Sequence, residues 1–160
     1  MSAQKHQRAI ALSCCGGRCA VCGKALEYNN MQGAHRIADT KANRRKWGTL
    51  VIDHPLNVAM VCSLKCNDAC NIGYRPYECL RLAFTILSAE MRKHEGGEMS
   101  NKIELYEVLT WFDDRGNHYR ARSLYNEWKG VDQYRKEDAI SDGEKHQKAL
   151  EYLFKGKGDN

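Results

Sequence analysis

CCGGRCAVCGK, residues 14–24, and CSLKC, residues 62–66, are the two stretches whose reading decides the fold. Each carries a close cysteine pair, Cys19-x2-Cys22 and Cys62-x3-Cys66, at the spacing usual for structural zinc ligands. Glycines flank the first pair and let backbone amides approach sulfur without a side chain in the way. Two such knuckles about forty residues apart are what a four-thiolate site needs, provided the chain between them returns on itself. A structural Zn2+ held by Cys19, Cys22, Cys62 and Cys66 is therefore expected. A swap within the first run, with Cys15 replacing Cys19 or Cys22, fits the spacing as well. Core or surface thiols is the reading for Cys14, Cys15, Cys70 and Cys79.

This choice depends on compartment. The N-terminal MSAQKHQRAIALSCC has too short and broken an apolar stretch for a secretory signal. No apolar run reaches the roughly 18 residues of a membrane-spanning helix. A cytoplasmic, reducing setting is the expectation, and there clustered cysteines bind metal more often than they form disulfides.

Charge divides the chain in two. Residues 1–75 hold 11 Lys and Arg against 4 Asp and Glu, a net of +7, whereas residues 76–160 hold 14 against 16, a net of −2. The cysteine-bearing half is the basic half, which favours a phosphate-backbone partner such as double-stranded DNA. Its most basic stretch, Asp39 to Gly48 (DTKANRRKWG), reads as a surface loop. Lys41, Arg44, Arg45 and Lys46 would contact phosphate there, with Trp47 either stacking on a base or tucked into the core.

A short helix is expected within residues 1–13, and a short strand carrying His35 within Met31 to Ala38. Leu56 to Val61 leads into the second knuckle, and the stretch 67–73 opens a helix. Beyond Pro76 the apolar residues recur at helical spacing. One helix runs through Cys79 to Met91 until EGGE at 95–98, a second holds Ile103 to Phe112, and a third holds Tyr119 to Trp128. A last one is centred on Ala149 to Phe154. The fold class is α+β. Its organisation is a zinc-bound module over 1–75 with an N-terminal helix, then a mostly helical region over 76–160.

Between the knuckles stand Gly33-Ala34-His35-Arg36-Ile37, then Pro55-Leu56-Asn57, and Asn67 directly follows Cys66. In this order the chain resembles the HNH, or ββα-metal, endonuclease family, in its zinc-stapled form and as a His–Asn–Asn variant. The resemblance covers residues 19–73. It implies a small ββα-metal nuclease core that hydrolyses DNA phosphodiester bonds with a catalytic Mg2+ or Mn2+. His35 matches the general base, a task suited to an imidazole that titrates near neutrality. Asn57 matches the residue that fixes the loop orienting the base. Asn67 matches a ligand of the catalytic cation, its amide oxygen being a hard, neutral donor. Arg36, beside the base, would neutralise charge developing on the phosphate, or else stand as an outward-facing strand residue.

The chain departs from the family at Ala34, where Asp or His usually supplies a second metal ligand. Asn67 and phosphate alone, or a nearby group among His54, Asp53, Asp39 and Asp68, would have to serve. His54 is the less suitable base, because two residues separate it from Asn57 while 21 separate His35 from Asn57, enough for strand, loop and strand. Two other readings stand beside the nuclease. One is a catalytically degenerate, zinc-dependent nucleic-acid-binding module. The other is a protein-interaction domain with a structural zinc knot. The helical region would also permit a homodimer, which allows double-strand cuts.

Overall fold

The computed structural model describes residues 3–95 and 105–131. Its elements run in the order α1 (Ala3–Cys14), β1 (Gln32–His35), α2 (Lys41–Trp47), α3 (Thr49–Asp53), a single 3-10 turn (Pro55–Asn57), β2 (Val58–Val61), α4 (Leu64–Cys70), α5 (Pro76–Glu95), α6 (Leu105–Asp114) and α7 (His118–Gly130). Among the described residues the architecture is mixed and mostly helical, with one two-stranded antiparallel sheet. The chain divides into two compact units, Met1–Leu82 and Ala83–Asn160, and the change falls within α5 rather than before it.

The first unit is built around the hairpin of β1 and β2, in which Gln32 pairs with Val61, Gly33 with Met60, Ala34 with Ala59 and His35 with Val58. Strand side chains alternate between faces. Val58 and Met60 pack against Ala11 of α1, with Leu12 and Cys15 beside them. On the opposite face Ala34 and Val61 pack against Cys19 and Cys66. The sheet is thus covered by α1 on one side and by α4 with the first knuckle on the other.

The connection between the strands differs from the expectation. Asp39 to Gly48 is not a loop, because most of it forms α2. Thr40 caps that helix by accepting from the Asn43 N–H at 3.1 Å. Gly48 ends it at φ +91°, a backbone conformation that favours glycine. The apolar run Leu50–Ile52 lies in α3, with Val51 and Ile52 buried.

One polar side chain organises this connection. Asn57 is fully buried at the start of β2. Its Oδ1 accepts from the Ile37 N–H at 2.8 Å, and its Nδ2 donates to the carbonyls of Ile37 and Ile52, each at 3.0 Å. The backbone adds a bond from the Arg36 N–H to the Asn57 carbonyl at 2.8 Å. Asn57 therefore joins the exit of β1, the end of α3 and the entry of β2.

In the second unit α6 packs against α7. Leu105, Val108 and Leu109 of α6 are buried, as are Ala121, Leu124, Tyr125 and Trp128 of α7. Asn117 caps α7 through its Oδ1, which accepts from the Arg120 N–H at 3.2 Å. The helix expected around Ala149 to Phe154 lies outside the described residues.

Replacing Asn57 with Ala leaves one buried N–H and two buried carbonyls without that partner. The variant is expected to lose about 3 kcal/mol of stability, read by urea unfolding at fixed zinc concentration. A loss below about 0.5 kcal/mol would show that the connection does not depend on this side chain.

Candidate metal centre and adjoining site

Cys19, Cys22, Cys62 and Cys66 bring their sulfurs within 4.8 Å of one another. Cys22 Sγ lies 3.5 Å from Cys62 Sγ, and Cys62 Sγ lies 3.9 Å from Cys66 Sγ. Four Zn–S bonds near 2.3 Å in a tetrahedron place sulfurs about 3.8 Å apart, so the donor set fits zinc in both chemistry and size. Cys15, which the spacing allows as a replacement ligand, is engaged elsewhere: it donates its thiol to the Leu12 carbonyl at 3.2 Å.

Local structure explains the convergence. The first knuckle closes on itself through the Cys19 N–H to the Lys24 carbonyl at 2.8 Å and the Gly23 N–H to the Cys19 carbonyl at 2.9 Å. Gly23 turns the chain at φ +73°. The knuckle is anchored to β2 by the Ala20 N–H, which donates to the Met60 carbonyl at 2.9 Å. Cys62 follows β2 directly and Cys66 sits in the first turn of α4. Ser63 caps that helix by accepting from the Cys66 N–H at 3.3 Å. The short stretch from Ser63 to Cys66 carried this cap as a readable signal in the sequence.

The thiols perturb one another strongly. Burial works to raise the Cys19 thiol, but the backbone N–H groups of Cys22, Val21 and Cys62 and the Cys22 thiol outweigh it and bring it down to about 6. Cys62 is pushed up to about 12, first by its bond with Cys22, then by burial and the sulfurs of Cys19 and Cys66. Ionising one sulfur thus discourages ionising its neighbours. A divalent cation among them removes that conflict.

The other residues of interest lie on the hairpin and on α4. His35 ends β1 and is half-buried. Asn57 lies under the same strand end. Asn67 follows Cys66, whose side chain packs in one cluster with Ala34, the neighbour of His35. The Ile72 N–H donates to the Arg36 carbonyl at 2.8 Å, tying the chain after α4 to the residue after His35. Ala34 itself is only 2% exposed, its methyl packed with Cys19, Val61 and Cys66.

Several expected contacts are engaged elsewhere. Trp47 is buried at 2% exposure and belongs to the core, so it offers no stacking face. Arg44 is held between two carboxylates, Nε to Asp39 at 2.5 Å and Nη2 to Asp53 at 2.7 Å. The Arg44 hydrogen bond draws the Asp39 carboxyl below its ordinary range, against the opposing effect of burial, with the charges of Arg44 and His35 adding to it. His54 Nδ1 accepts from the Leu56 N–H at 3.1 Å and caps the turn before β2. Lys41 and Arg45 remain exposed on α2, and Lys46 is half-exposed. Among the described residues the four cysteines are the only group of three or more His, Cys, Asp or Glu side chains gathered at metal-binding distance. No helix among the described residues is long and apolar enough to cross a membrane.

Comparison with protein-family models, with curated proteins and with solved structures returned no match.

Metal analysis of the purified chain is expected to find about one zinc per chain. Taking up that zinc at pH 7 should release fewer than four protons, because Cys19, at about 6, is already largely thiolate. The number should rise as the pH falls through about 6, where Cys19 gains its proton. Calorimetry in buffers of different ionisation enthalpy reads the count. A release that does not change across this interval contradicts the assignment of Cys19.

Proposed function

We propose that the chain is a metal-dependent HNH-type endonuclease that hydrolyses DNA phosphodiester bonds, with His35 as general base. The observation that supports this most is the junction made by Asn57. Its side chain holds Ile37, two residues beyond His35, and leads directly into the strand paired with β1. The order of strand, connection, strand and helix, with α4 joined to the hairpin by the cysteine cluster, is that of a ββα nuclease centre, while α4 covers the face of the hairpin opposite the one on which strand alternation sets His35.

In this reading His35 takes a proton from a water molecule attacking the phosphorus. The phosphorus–oxygen bond to the leaving oxygen breaks, and that oxygen acquires a proton from solvent. A divalent cation, Mg2+ or Mn2+, bound at Asn67 and a substrate phosphate would supply positive charge to the leaving oxygen. Asn57 keeps the backbone around His35 in one arrangement, so the imidazole is positioned before substrate arrives. Arg36 faces no carboxylate partner among the described residues and is suited to the charge that builds on the phosphate. Lys41, Arg45 and Lys46 on α2 would contact the neighbouring phosphates, while Arg44 braces α2 against α3 through Asp53.

The buried methyl of Ala34 favours a second reading. Without a ligand at that position, the same scaffold serves as a zinc-dependent nucleic-acid-binding module that does not cut.

Purified protein incubated with supercoiled plasmid and Mg2+ or Mn2+ should nick it. His35→Ala should slow nicking by about 10²- to 10⁴-fold with zinc content unchanged. Binding without cleavage in either cation supports the second reading and overturns the first. Equal cleavage by His35→Ala removes His35 as the base.

A further inference from the structure

Gly33 is two residues before His35 on β1, and strand alternation puts both positions on the face covered by α1. A side chain at Gly33 would press on Arg8. A Cβ built there would lie 3.2 Å from both Cγ and Nε of Arg8 and 3.6 Å from its Cδ. The Arg8 side chain therefore crosses β1 at Gly33, and the missing side chain is what lets it do so. Arg8 belongs to the α1 stripe that continues through Ala11, Leu12 and Cys15, and those three pack at the hairpin. The stem of Arg8 extends that packing onto Gly33 of β1, while the residue as a whole stays exposed.

Other arginines of the described residues are neutralised by carboxylates. Arg44 is bound to Asp39 and Asp53, and Arg75 to Glu78. Arg8 has no carboxylate partner among the described residues. Its Nε lies against Gly33, a position about 7 Å from His35 along the strand. Its planar fork of N–H donors matches the oxygens of a phosphate.

We infer that Arg8 is a phosphate-binding residue of the His35 site, gripping the DNA backbone beside the scissile bond. The inference rests on the endonuclease reading and adds to it a contact from α1, outside the stretch between the knuckles. Without a side chain at Gly33, Arg8 lies there without being pushed aside.

The test is equilibrium binding of a fluorescent duplex DNA, without added divalent cation, across about 50 to 200 mM salt. It compares wild type with Arg8→Gln and Arg8→Lys, each checked for zinc content and melting temperature. Losing one phosphate contact makes the slope of log affinity against log salt shallower by about 0.9, or about 3.5-fold less loss across that range. Arg8→Gln should show this change and bind more weakly at low salt, whereas Arg8→Lys should keep a slope near wild type. Gly33→Ala, which displaces the Arg8 side chain, should move in the direction of Arg8→Gln. Wild-type slope and affinity in Arg8→Gln overturn the inference alone. Equal weakening by Gln and Lys with the salt slope of wild type also overturns it, since that points to packing rather than charge. Wild type that binds no DNA overturns the endonuclease reading, and this inference with it.

Discussion

Four sulfurs, two from each of a pair of loops far apart in sequence, must meet within a few ångströms, and most of the first unit follows from that demand. The knuckle of Cys19 and Cys22 can reach Cys62 and Cys66 only if the chain between them folds back. The hairpin of β1 and β2 performs that return, and the Ala20 bond to Met60 fastens the first knuckle to it. A two-stranded sheet with one small helix is a poor core by itself. Joining its ends through a metal-binding cluster supplies the closure that so few apolar side chains would otherwise leave undone.

The second constraint is polar. A tight connection of two short helices and a turn leaves many backbone groups inside the protein, where each one without a partner is costly. Asn57 meets this with one side chain that both donates and accepts. Asp would keep the acceptor and lose both donations, and Leu would lose all three bonds. The residue that makes the connection foldable is also the one that fixes the backbone next to His35. Structure and proposed chemistry therefore make the same demand on this position.

How much of this was readable follows from the range of the interactions involved. The metal ligands were legible because close thiol pairs at these spacings form a local pattern that is uncommon outside metal sites. The helices after Pro76 were legible because their apolar residues recur along α5, α6 and α7. Thr40 and Gly48 were available as local signs of α2, yet the intervening residues are so basic that composition argued for a loop. The fate of Arg44 was not legible at all. Its partners Asp39 and Asp53 flank it only because α3 follows α2 at a sharp turn, which is a tertiary fact. Trp47 could be read either way until the core was seen to enclose it. The same holds for Gly33, whose lack of a side chain acquires meaning only once Arg8 is seen to cross it.

The distribution of charge then changes meaning. Counted along the chain, the basic half looks like a uniform field centred on residues 41–46. In three dimensions one cation of that run is consumed in holding α2 and α3 together, and its tryptophan is consumed by the core. What remains outward on α2 is Lys41 and Arg45, with Lys46 partly so, while Arg36 follows the end of β1 and Arg8 reaches β1 from α1 at Gly33. A net charge attracts a polyanion from a distance but does not orient it. Orientation requires cations fixed at separate points around one place, and in the proposed reading Arg36, Arg8 and the outward cations of α2 would do this for a DNA backbone at His35.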